Sequence, residues 1–334
     1  MAPHGVRIAR GEAAILLSST VYGVSTTVSV LALHAVRPAD LLAVELIGAA
    51  AVLLGVAALR GRLRWRGAAR NLALGGLFPG ATFLLADLGL ARTSASSGSL
   101  LVAVDPLLSV LLAVLVLGER MAGRAVVALV VGLGGSALVA FGPTDGGTGA
   151  SAAIGNLLVL GAVVAGALFL VATRRYSGHD DGDGFAAGAW QTAGGALLTA
   201  PFVAFSWAGG GSRLPAAGAV AWIACLGVVL LGAVGGVAYN RGIAHVPASR
   251  AGQLMNLTPV IGTLTGVVFL HERPALVQLA GGAAILAGLA LLLRAGPAEG
   301  AEPPAAAGSE DRDRDDSRAL TPGPEVLADR CGNR

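Results

Sequence analysis

Three carboxylates stand inside long apolar runs of this chain: Glu45, Asp87 and Asp105. An acid in the hydrocarbon region of a bilayer is costly, so it faces a cavity or a partner. At a helical rise of 1.5 Å per residue, Glu45 lies about 8 Å and Asp87 about 6 Å in from the same end of their runs, and Asp105 lies near mid-membrane. Acids so placed, facing one pathway, are suited to load and release a proton or to hold a cationic group. The bland readings stay open beside this one. Asp87 can pair with Arg92, Glu45 can reach headgroup water, and Asp105 can bond a neighbouring helix. The positions that answer these acids later in the chain are uncharged: Gln191, Asn240 and Thr258, with Asn256 beside the last. One half of the chain is therefore acidic within its spans and the other amide-lined.

The elements that must hold these groups are membrane helices. The chain has 334 residues, is 54% hydrophobic and only 13% charged, with a mean hydropathy of +0.73. Ordinary soluble domains carry about twice that share of charge. Apolar runs of about 20 residues, the length that crosses a hydrocarbon core, recur between short polar loops. Ten spans are expected: 12–34, 40–59, 71–91, 96–118, 124–142, 153–173, 185–207, 216–240, 248–270 and 276–294. The 185–207 run is the weakest, because Gln191 and Pro201 dilute it.

Arginine sets the orientation. All 23 basic residues other than histidine are Arg. With the N-terminus inside, 14 arginines flank the spans on the inner side and 4 on the outer, leaving aside the tail. That bias predicts cytoplasmic N- and C-termini in the plasma membrane.

The chain also writes one stretch twice. Residues 89–120 and 242–273 match at 11 of 32 positions at a fixed offset of 153. The shared residues include Ala95-Ser96 with Ala248-Ser249, Pro106 with Pro259, and Glu119-Arg120 with Glu272-Arg273. A self-match at fixed period signals repeated architecture. Five spans per copy is an odd number, so the second copy is inserted upside down. The expected organisation is an all-α polytopic membrane protein with one five-helix repeat at 1–152, an inverted one at 153–294, and a disordered cytoplasmic tail at 295–334. Inverted repeats are the architecture of many secondary transporters, with a site at their interface. Pro106 and Pro259 fall near the middle of their spans, where a proline frees a carbonyl and bends the helix. Glu119-Arg120 and Glu272-Arg273 sit at helix ends and read as structural pairs or caps.

With these residues the chain resembles the EamA-type repeat of the drug/metabolite transporter superfamily. The Ala-Ser start, the mid-span proline, the Leu-x-Glu-Arg ending and Gly135 answering Gly288 carry the likeness over residues 12–294. The resemblance implies ten helices and movement of small metabolites, with many relatives exporting amino acids, their derivatives or toxic compounds. Such relatives often carry an arginine where Glu45 stands here, so an acid at that position argues against an anionic substrate.

Other chemistry finds little support. With no lysine there is no phosphate-binding loop lysine and no ATP hydrolysis is expected. His271-Glu272 lacks the second histidine of a zinc hydrolase, and residues 179–184 lack the full calcium-loop spacing. Cys225 and Cys331 make no disulfide framework. No metal or cofactor is implied. No basic stripe interleaved with aromatics points to nucleic acid. Gly76/Gly80, Gly232/Gly236 and Gly262/Gly266 allow close helix approach and are compatible with a homodimer. The expected function is a secondary transporter of small metabolites, an exporter driven by proton exchange and not an enzyme. The alternatives are an uptake or facilitated-diffusion carrier, and a non-transporting membrane sensor.

Overall fold

A computed structural model describes residues 4–61, 63, 65, 67–117, 123–142, 150–176, 184–243, 245–246 and 254–295. The described residues are helical apart from short connections. In chain order the helices are α1 (His4–Ala35), α2 (Pro38–Leu59), α3 (Ala68–Leu90), α4 (Ala95–Val116), α5 (Gly123–Phe141), α6 (Ala150–Tyr176), α7 (Gly184–Gly210), α8 (Ala219–Ile243), α9 (Leu257–Phe269) and α10 (Leu276–Ala295). Eight of these are long and apolar enough to cross a membrane. The exceptions are α7, the run already diluted by Gln191 and Pro201, and α9, whose 13 described helical residues form a shorter apolar helix. Pro201 sits within α7 without ending it. Residues 118–122, which hold Glu119 and Arg120, lie outside the described residues, as do 247–253 and the tail from residue 296.

Helix ends follow local chemistry. Ser94 precedes α4 in extended conformation, and its side chain accepts from the Ser97 backbone N–H at 3.1 Å, satisfying a donor that the first turn leaves open. Pro38 opens α2, where its missing N–H costs nothing.

Three helices depart from α-geometry. A π-helical turn spans Ala43–Gly48 in α2, and α3 is kinked within Gly76–Ala81, where Phe78 leaves helical backbone (φ −135°, ψ 119°) just before Pro79. Helix α4 breaks at Ala103-Val104 and restarts with Asp105 and Pro106. Asn256 plays the same part in the second copy: Leu254-Met255 are helical, Asn256 is a turn, and α9 begins at Leu257 with Pro259 in its first turn. A proline near the start of a segment removes a hydrogen bond to the preceding turn, so both breaks fall just before the two prolines.

Packing pairs helices in a pattern that survives exchange of the two halves. Helix α1 lies along α8, and α6 lies along α3; α4 packs on α9 and α5 on α10. Close contact needs small residues, since lipid offers no hydrophobic drive for helix pairing. At the α5–α10 seam a Cβ on Gly135 would fall 2.6 Å from the Gly281 carbonyl oxygen, and one on Gly288 would fall 2.7 Å from that of Ala128. An apolar cluster of Leu101, Val104, Leu107, Val139, Val159 and Ile285 fills the space between α4, α5, α6 and α10.

Candidate functional site

The structure joins two of the three acids. Glu45 lies in the π-turn of α2 and Asp87 in the part of α3 that follows its kink, and both are buried, 7% and 4% exposed. Their side chains are neighbours that interact directly. One Asp87 oxygen, Oδ2, is buried with no hydrogen-bond partner. Arg92 does not neutralise Asp87 through its Nη1, which donates to the Leu88 carbonyl. Two carboxylates side by side away from water repel each other. The arrangement suits one shared proton, or one small cation between the two groups. π-turns are uncommon and gather at functional positions; Glu45 lies within one, and the helix that presents Asp87 is kinked at Phe78.

Asp105 does not join this pair. It opens the second half of α4, is partly exposed, and faces the Ser109 hydroxyl at 3.5 Å. Of the three acids expected on one pathway, the structure brings two together.

The amides scatter as well. The Gln191 side chain donates through Nε2 to the Asn71 Oδ1 at 3.3 Å, and its backbone packs so tightly on Gly75 that no Cβ would fit there. It ties α7 to α3. Asn256 lines an open groove with Leu16, Leu254, Leu257, Val260 and Leu286, between α1, α9 and α10. Asn240 lies on α8, and its side chain is outside the described ones. Pro106 is exposed and Pro259 buried.

Glu272 has a definite task, and it reaches across the chain. It accepts from the backbone N–H groups of Ala95 at 2.7 Å and Ser96 at 2.8 Å, and from the Ser96 hydroxyl. A carboxylate on two open N–H groups of a helix start satisfies them and complements the helix dipole. The cap therefore joins the α9–α10 connection to the start of α4, which belongs to the other copy of the duplicated stretch. Arg273 beside it is exposed.

Three polar residues with structural roles were not singled out in the sequence. Asp40 is fully buried and accepts four hydrogen bonds: from Trp207 Nε1 at 2.9 Å, the Ser212 hydroxyl at 2.7 Å, and the backbone N–H groups of Arg37 and Arg213, each at 3.1 Å. The signal was Arg37-Pro-Ala-Asp40, a proline at the helix start with an acid two residues on, which marks an N-terminus. Asn156, also fully buried, donates to the carbonyls of Val139 and Ala140 at 3.2 and 3.0 Å and accepts from the Thr93 hydroxyl. Gln278 donates to the Ser97 hydroxyl at 2.7 Å. A buried amide or acid must be paired, but the sequence does not name the partner when it lies on another helix.

Together these features define a polytopic helical membrane protein with a buried acid pair between two helices. The EamA-like transporter family matches residues 9–141 and again 153–294. The chain belongs to that family and is an integral membrane transporter. It is similar to a protein of Streptantibioticus cattleyicolor named a probable terminal-alkyne amino-acid exporter, 28% identical over 215 residues that make up 63% of this chain and 68% of the relative. Its fold is similar to that of a protein of known crystal structure, 21% identical, with a TM-score of 0.51 over 86% of this chain and 96% of the other.

Proposed function

We propose that this chain is a secondary transporter that exports small amino-acid-like metabolites or drugs in exchange for protons. The reading rests above all on the Glu45–Asp87 pair, a buried acid couple with one unpartnered oxygen. Such a pair offers one place for one positive charge. A proton and the ammonium group of a substrate can occupy it in turn, which is the elementary requirement of exchange. The name of the Streptantibioticus relative favours an amino acid or derivative, and the acid at position 45 favours a substrate with a positive group over an anion.

In this reading the ten helices are ten membrane spans in two inverted repeats, 1–152 and 153–294. The fixed-offset self-match, the two family matches and the exchange-symmetric helix pairing support it. The arginine bias favours cytoplasmic termini and a cell inner membrane.

The test is flux in proteoliposomes of the purified protein, with amino-acid pools, terminal-alkyne amino acids and cationic drugs, with and without an imposed proton gradient, while internal pH is followed. Substrate movement coupled to proton movement is the expected result. Flux with no pH change replaces exchange by facilitated diffusion. Normal coupled flux in both Glu45→Gln and Asp87→Asn removes the acid pair from the mechanism.

A further inference from the structure

We infer that Asp40 is the latch of a gate that closes one end of the transport pathway. The proposal rests on the transporter reading but not on the identity of the substrate.

The latch joins distant parts of the chain. Its acceptor is at the start of α2 and its donors come from the end of α7 and the connection to α8: Trp207, Ser212 and Arg213. A second bond runs the other way, from Arg37 Nη1 to the Gly211 carbonyl at 3.0 Å. Gly211 has a φ of +70°, a left-handed turn that glycine adopts at no steric cost. A side chain at Gly210 would overlap the Arg37 guanidinium. The connection is thus folded down onto the α1–α2 corner and held there by reciprocal bonds.

What the latch covers makes it a gate. Leu214 and Ala217 of the same connection pack on Ala32, Val36, Leu41, Ala221, Ala224 and Cys225, an apolar plug between α1, α2 and α8. Cys225 is fully buried in it. Glu45, the first acid of the pair, stands five residues from Asp40 on α2, inside the π-turn Ala43–Gly48. Releasing Asp40 lets the connection lift and opens the plug toward the acid pair. A carboxylate with four donors is a stable partner, yet each bond is separately breakable, which a gate needs.

The chain carries its own reporter. It has two cysteines, so Cys331→Ser leaves Cys225 as the single thiol, directly under the latch. A membrane-impermeant maleimide is applied to either face of vesicles holding Cys331→Ser protein, without substrate. Slow labelling is expected in that background. Trp207→Phe removes one charge-assisted bond and Asp40→Asn weakens all four, so labelling from the face bearing residues 211–218 rises about tenfold or more in each. Unchanged labelling in Trp207→Phe and Ser212→Ala, with both variants monodisperse and helical, overturns the gate, whether or not Asp40→Asn folds. Equal acceleration from both faces also overturns it, since that reports general loosening. Faster labelling without flux in any assay keeps the latch and rejects transport, so the two readings fail separately.

Discussion

Asp40 and Glu45 stand five residues apart on one helix and have opposite surroundings. Both are buried acids. Asp40 is ringed by four donors, two of them side chains and two backbone N–H groups. Glu45 faces another carboxyl, and that partner keeps an unpartnered oxygen. A satisfied buried charge holds structure together, because removing its partners leaves a desolvated group behind. A buried acid met by another acid does the reverse: the two repel unless a proton or a cation is held between them. The difference separates what holds the protein closed from what the protein works with.

Four variants break or sharpen this contrast. The largest effect belongs to the double variant Glu45→Gln with Asp87→Asn. Proton-coupled flux falls to the protein-free background while the melting temperature holds or rises, because two amides pair with each other without sharing a charge. Asp40→Asn comes next and acts on the opposite quantity. It lowers stability by about 2 kcal/mol, through lost charge-assisted bonds, as read from thermal unfolding in detergent. Glu272→Gln loses about 1 kcal/mol as a weakened helix cap, in the same measurement. Asp105→Asn has the smallest effect, within about 0.5 kcal/mol of the parent, and retains proton coupling in the flux assay. Loss of coupling in Asp105→Asn would bring this acid back into the pathway of the other two.

The sequence was most legible where periodicity and length decide. The apolar runs predicted the helices to within a few residues over most of the described chain: 124–142 against Gly123–Phe141, and 276–294 against Leu276–Ala295. Depth arithmetic placed Glu45 and Asp87 at nearly the same level of the bilayer, and they do meet. The same arithmetic could not tell which face of its helix Asp105 occupies, and so grouped it with them. Asp40 was overlooked because it sits at a span boundary, where an acid reads as solvated. Three of its four donors lie 167 to 173 residues along the chain, and no local pattern announces such a partner. Glu272 was read as a helix-end residue, which it is, but the helix it caps begins at Ala95, not at its own loop. Long-range polar pairing is the part of a membrane fold that one sequence hides, since each residue type is visible and its partner is not.

The π-turn Ala43–Gly48 sets the angular phase of α2. A π-turn is in effect one extra residue within an α-helix, and each residue of an α-helix advances the azimuth by about 100°. Deleting one residue between Ala43 and Glu45 would keep both acids and every partner in the sequence. It would leave the two ends of the helix in the phase they have, because the π-turn already absorbs the extra residue, and would redirect only the residues inside the turn, Glu45 among them, away from Asp87.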